Sequence, residues 1–256
     1  MAALDVVLVP ALSDNYVYLL HDPDTGATAV VDPGEAEPVE AALAARGWTL
    51  SQIVNTHHHG DHIGGNAALK AKHGAQLIGP RAEAARIPGM DVTVGAGDSV
   101  EIAGHQATVY ETPGHTTGHI SLHVPGSHAL FCGDTLFALG CGRMFEGTPA
   151  QFWASLSTLR TLPAETRIYC GHEYTQSNAR FALAIDGGNA ALKARAAEID
   201  RLRAAGQPTV PSTLAQELGT NPFLRADDPA MAAAVGKAGA APAEVFAEIR
   251  RRKDSF

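Results

Sequence analysis

The chain has 256 residues, 45% hydrophobic and 18% charged, which excludes a disordered chain and allows a sizeable core without disulfide staples. Its formal charge of −8, from 19 Lys+Arg against 27 Asp+Glu, repels phosphate backbones and argues against nucleic acid as a partner. No apolar run approaches the ~20 residues that span a bilayer, no basic residue precedes Arg46, and Cys132, Cys141 and Cys170 form no CxxC pair, so the expected setting is the reducing cytoplasm, away from membranes.

In chain order, residues 4–10, 15–22 and 28–34 read as short strands broken by Asp, Pro and Gly. Residues 37–47 read as a helix ended by Gly47. Residues 51–56 form a strand that runs straight into a histidine cluster, and 66–74 a helix behind it. Further strands are expected over 75–80, 98–104, 105–114, 119–126 and 128–134. A helix follows over 149–163, with Pro149 suited to its first turn, and then a strand over 166–172. Strand, loop and helix thus recur in two halves, before and after about residue 100, which suggests two sheets packed face to face with helices outside. After about residue 174 the pattern becomes helical, over 178–185, 188–206, 211–219, 229–236 and 242–254, and no further strand is expected. The expected domains are residues 1–173 and a helical 174–256.

The 12 histidines are unusual in being clustered. Thr56-His57-His58-His59-Gly60-Asp61-His62 begins where a predicted strand ends, at the kind of edge where α/β proteins place ligands. On extended backbone His57 and His59 face the same way, while Asp61 and His62 can turn toward a second point. Imidazole and carboxylate at this density suit zinc, iron or manganese better than a solvated polar loop. Three later positions repeat the placement: His115 in Thr112-Pro113-Gly114-His115, Asp134 in Gly133-Asp134-Thr135 and His172 in Gly171-His172-Glu173 each follow a predicted strand. Any one alone would more often be structural; together with the first cluster they point to a metal centre.

These four motifs resemble the metallo-β-lactamase superfamily, whose sign is an HxHxDH loop followed by later His, Asp and His. The resemblance implies a four-layer αββα sandwich with two divalent metal ions, zinc first and iron or manganese as alternatives. One would be held by His57, His59 and His115, the other by Asp61, His62 and His172. Asp134 would bridge them, since a carboxylate offers two oxygens. His58 occupies a variable position of the motif, and His119 is expected to orient the loop or a ligand. Two such ions make a hydroxide near neutral pH, which would attack an acyl carbonyl, with Asp61 and Asp134 as the catalytic carboxylates. A thioester suits the site because its thiolate leaving group, with a conjugate acid near pKa ~8.5, needs little or no general acid, and the motifs supply no clear candidate for one.

Further segments narrow the branch. Cys141-Gly142-Arg143-Met144-Phe145-Glu146-Gly147-Thr148, Gly171-His172-Glu173-Tyr174-Thr175, Gly219-Thr220-Asn221-Pro222-Phe223-Leu224-Arg225 and the terminal Arg250-Arg251-Arg252-Lys253-Asp254-Ser255-Phe256 resemble the glyoxalase II family over nearly the whole chain. That family hydrolyses S-(2-hydroxyacyl)glutathione thioesters, S-lactoylglutathione to D-lactate and glutathione being the physiological case. The resemblance implies a monomer with a helical C-terminal glutathione-binding domain, and substrate binding through Arg143, Phe145, Tyr174, Arg250 and Lys253. Guanidinium groups suit the two carboxylates of glutathione, and Arg250 and Lys253 are spaced to share a helix face. Phe145 stands where the family often has Tyr, and Arg143 where many relatives have Lys. The competing readings are an iron-dependent persulfide dioxygenase of the same fold, another thioesterase of that fold, a β-lactamase, an RNA-processing nuclease, and a non-catalytic metal- or glutathione-binding module.

Overall fold

The computed structural model describes residues 2–256. The chain divides into two compact units, one running through Glu111 with Gly118–Gly133 added, the other made of Thr112–Thr117 and Asp134–Phe256.

The first unit holds two sheets. In the first, β1 (Asp5–Ala11), β2 (Asn15–His21) and β3 (Thr28–Val31) pair antiparallel. From β3 the sheet continues in parallel through β4 (Gln52–Val54), β5 (Gln76–Pro80) and β6 (Val92–Val94). The parallel part explains its own sequence: Thr28–Val31 is buried throughout, as expected for strands covered on both faces. Helices α1 (Glu37–Arg46), α2 (Gly60–Ile63) and α3 (Asn66–His73) make the crossovers. Val39 and Leu43 of α1 and Leu69 of α3 pack in one cluster with Val17, Leu19, Val30, Ile53 and Leu77 of the sheet. Gly47, at φ 67°, ends α1 in the left-handed conformation expected of a terminal glycine.

The second sheet of this unit is an antiparallel meander of β7 (Ser99–Ile102), β8 (His105–Glu111), β9 (Ile120–Val124) and β10 (Ala129–Gly133). Burial alternates along β8, so one of its faces looks into the core. The Tyr18 and Phe131 rings meet at 5.7 Å between the two sheets. The face-to-face pair read from the sequence is therefore present within this unit. The three-residue β6 lies outside the predicted strands; it is too short to show a pattern.

Beyond Thr112–Thr117, the second unit continues from Asp134 with a hairpin of β11 (Leu136–Phe137) and β12 (Gly140–Cys141), followed by α4 (Pro149–Leu159) and β13 (Arg167–Cys170). Thr148 closes a reciprocal cap with Gln151 at the start of α4, and Pro149 takes its first turn. Helices α5 (Thr175–Asp186) and α6 (Ala190–Ala204) pair through Ala179, Ala182, Leu192, Ala196 and Ile199. Beyond them come β14 (Ser212–Thr213) and helices α7 (Leu214–Thr220), α8 (Pro229–Ala234) and α9 (Pro242–Asp254). Phe246 of α9 meets Phe152 of α4 at 5.5 Å and Phe223 at 6.0 Å. One expectation is corrected here: a strand does return after residue 174. β14 pairs with Arg167 and Ile168 of β13. Two residues carry no periodicity, and Thr213 also caps α7, so the helix signal hides the strand. No helix among the described residues is long and apolar enough to cross a membrane.

Candidate metal centre and active site

In the first unit the end of β4 delivers Thr56 and the three histidines, and α2 delivers Asp61 and His62. The loop is held by Asp32, at the end of β3. Asp32 accepts from the Thr56 amide at 2.8 Å and from its hydroxyl at 2.6 Å, and its Oδ2 lies 3.1 Å from His62 Nδ1. It does so from a left-handed backbone at φ 51°, a conformation an aspartate tolerates better than most residues. Asn55, fully buried, donates to the His62 carbonyl at 3.0 Å and ties both ends of the loop together.

The geometry agrees with the alternation read from the sequence. His57 Nε2 and His59 Nδ1 are 3.1 Å apart, so both nitrogens face one place. The His57 and His62 rings lie 4.1 Å apart by centroid. Asp61 is partly exposed, and Asn15 donates to its Oδ2 at 3.0 Å. His58 turns away: its Nδ1 lies 2.8 Å from Oε2 of the buried Glu83, whose Oε1 accepts from the Gly118 amide at 3.2 Å. His119 is buried with its ring stacked on His57 at 4.8 Å. A side chain on Gly133, at φ 45°, would meet Thr56 Oγ1 at 2.2 Å and His119 Nε2 at 2.8 Å, so only glycine fits the strand end before Asp134.

In the second unit His115, Asp134 and His172 come together from three separate turns. Asp134 Oδ2 lies 3.3 Å from His115 Nε2 and 3.4 Å from His172 Nε2. His115 Nδ1 lies 2.7 Å from the Arg143 carbonyl; donating there, it turns Nε2 toward Asp134. The Tyr174 ring stacks on His172 at 4.7 Å, nearly parallel at 3°, and Phe137 meets both rings edge-on.

Each group fits a divalent cation by its donor chemistry. His57, His62, His115, Asp134 and His172 are all 6% exposed or less, and burying a carboxylate among imidazole nitrogens is costly without positive charge beside it. Two divalent metal ions suit imidazole and carboxylate donors in this number.

The expected substrate residues all lie in the second unit, in two environments. Arg143 is exposed, its guanidinium 5.9 Å from the Phe145 ring. Phe145 is 59% exposed and meets the His115 ring edge-on at 5.3 Å. Tyr174 is exposed as well. Lys253 is half-buried; its Nζ donates to Ser177 Oγ at 3.1 Å, and burial, followed by repulsion from Arg250 and Arg180, pushes its pKa down to about 8. Arg250 is buried: it donates to the Cys141 carbonyl at 3.0 Å, pairs with Asp254 at 2.9 Å and lies over the Phe223 ring. Sequence reasoning passed over Asp32, Asn55 and Glu83. The only signal was an Asp at a strand end, in Val31-Asp32-Pro33-Gly34.

Residues 12–172 match the model of the metallo-beta-lactamase superfamily, and residues 173–256 match that of the hydroxyacylglutathione hydrolase C-terminus. A protein of Rhodospirillum rubrum named hydroxyacylglutathione hydrolase is 56% identical over 100% of both chains. One of Methylococcus capsulatus with the same name is 54% identical over 99% of each. Among solved structures, ETHE1 from Myxococcus xanthus superposes with a TM-score of 0.70 at 27% identity, covering 98% of this chain and 90% of that one. The fold class is the α/β sandwich expected from the motifs, with a helical C-terminal portion. The chain belongs to the metallo-β-lactamase superfamily and, within it, to the hydroxyacylglutathione hydrolase, or glyoxalase II, family.

Proposed function

We propose that His57, His59 and His115 hold one metal ion in this protein, that Asp61, His62 and His172 hold a second, and that Asp134 serves both. The protein hydrolyses hydroxyacylglutathione at its thioester. The observation that carries the assignment is Asp134 Oδ2, 3.3 and 3.4 Å from one imidazole of each proposed set. Bound there, two divalent ions would lower the pKa of water from ~15.7 to ~7 and polarise an acyl carbonyl.

The chain's own residues supply the rest. Asp61, partly exposed and oriented by Asn15, takes the proton of the attacking water. Asp32 and the Arg143 carbonyl fix which nitrogen His62 and His115 present. Phe145 and Tyr174 offer exposed rings beside His115 and His172, an apolar rest for a small 2-hydroxyacyl group such as lactoyl. Arg143 and Lys253 provide cations for the glutathione carboxylates, with Arg250 holding the backbone between them and the hairpin. The thiolate leaves without a general acid. On this reading residues 1–173 form the catalytic domain and 174–256 the glutathione-binding domain, the ions are zinc, and the enzyme works as a cytoplasmic monomer. The product pair is D-lactate and glutathione.

The test follows the loss of thioester absorbance from S-lactoylglutathione, with metal analysis of the same samples. Wild-type protein should turn over and stop on chelation. Outer partners of metal ligands are worth about 10–100-fold, so Asp134→Asn, at a proposed ligand, should cost at least about a hundredfold. Full turnover in Asp134→Asn with normal metal content would overturn the assignment.

A further inference from the structure

The hairpin that follows Asp134 receives side-chain hydrogen bonds from α5, α7 and α9 and from Asn221 at the end of α7. Its tip residue, Leu139, sits in a left-handed conformation at φ 57°, unusual for a bulky residue. Its amide donates to Glu217 Oε2 at 2.9 Å, and its side chain is buried between α5 and α6. Asn221 Nδ2 donates to the Phe137 carbonyl at 3.1 Å, to the Gly140 carbonyl at 3.0 Å and to Glu217 Oε2 at 3.1 Å. Its Oδ1 accepts from the Phe223 amide at 3.0 Å. Asn178 takes the Ala138 carbonyl at 3.1 Å, and Arg250 the Cys141 carbonyl at 3.0 Å. Glu217 and Asn221 are both 0% exposed. A fully buried carboxylate needs a partner, and Arg195 supplies it with a short ion pair.

These contacts lie beside the chemistry. Upstream, one residue separates the hairpin from Asp134. Downstream, the Gly142 amide returns to the Thr135 carbonyl at 3.3 Å, and a side chain on Gly142 would lie 1.9 Å from the Asp134 carbonyl. The next carbonyl, of Arg143, receives His115 Nδ1. We propose that Glu217 and Asn221 are positioning residues of the active site: by fixing the backbone of residues 137–140 they aim Asp134 and, through the Arg143 carbonyl, set which nitrogen His115 presents. This rests on the reading of Asp134 and His115 as metal ligands. The motif that contains Asn221 thus serves the metal centre as well as the packing of the helices.

The experiment compares three full-length variants for thermal midpoint, rate of metal release to a chelator, and KM against kcat for S-lactoylglutathione. Asn221→Ala removes the donations to the hairpin. Glu217→Ala removes the acceptor for Leu139. Arg195→Leu removes the ion pair but leaves the Glu217 oxygens for the hairpin. The two alanine variants should release metal about tenfold faster and show raised KM, whereas Arg195→Leu should lose thermal stability yet stay within about twofold of wild type in both. Metal release and KM that simply follow thermal midpoint across all three would overturn the proposal and leave the network a scaffold. Should Asn221→Ala not fold, Asn221→Ser carries the same readouts. A wild type without metal or thioesterase activity would fail the proposed function instead, independently of these variants.

Discussion

The two units supply their proposed metal ligands in opposite ways. In the first, His57, His59, Asp61 and His62 come from one short stretch, and a single carboxylate, Asp32, touches both Thr56 and His62. In the second, His115, Asp134 and His172 come from three turns far apart in the chain. They are braced by a carbonyl, a stacked tyrosine and a hairpin held from helices about 40 to 110 residues away. A local ligand loop concentrates its support in one residue; a dispersed set spreads it over many.

That contrast can be broken most directly at Asp32. Asp32→Ala leaves the buried Thr56 amide and His62 Nδ1 without this acceptor together, so metal affinity and activity should fall by about 10–100-fold. Metal titration and thioester kinetics measure it, and unchanged affinity would show that the first loop is as broadly supported as the second set.

A smaller effect is expected at Lys253. Burial lowers its pKa from 10.5 to about 8, so the ammonium is lost as pH climbs through 8 rather than through its usual range. A carboxylate held by that ammonium is released in the same window, and KM should rise above pH 8. The linkage also fixes the sign for folding: between about 8 and 10.5 the unfolded chain binds the extra proton, so this residue's contribution to stability increases with pH there. Lys253→Met should raise KM below pH 8 and flatten its rise above. A KM rise of the same size in that variant would remove Lys253 from substrate binding.

The smallest effect is expected at Phe145. Phe145→Tyr adds a hydroxyl on an exposed ring beside His115, worth about 0.5–1.5 kcal/mol if it meets glutathione, or about a two- to tenfold lower KM. An unchanged KM with unchanged kcat would show that the ring serves only as an apolar wall.

Much of this was legible in the residues because the signals were local. The strand into Thr56, the spacing of His57 and His59, Gly47 at a helix end and Pro149 at a helix start each depend on neighbours within one turn or one pleat. The helices after residue 174 showed for the same reason. β14 escaped because two residues have no period and their pairing partner is β13. Asp32 and Glu83 escaped because a carboxylate at a strand or helix end looks the same in sequence whether it meets solvent or a buried histidine.

From its residues alone this chain declares which side chains can bind metal and which edges of its strands present them, since donor type and backbone period are properties of short segments. Only folding over long separations decided that Glu217 meets the Leu139 amide, that Asn221 takes two carbonyls of the same hairpin, and that Arg250 is buried against Cys141 rather than open on a helix face. Those contacts join residues more than 75 positions apart, and loop closure over such lengths leaves no local pattern to read.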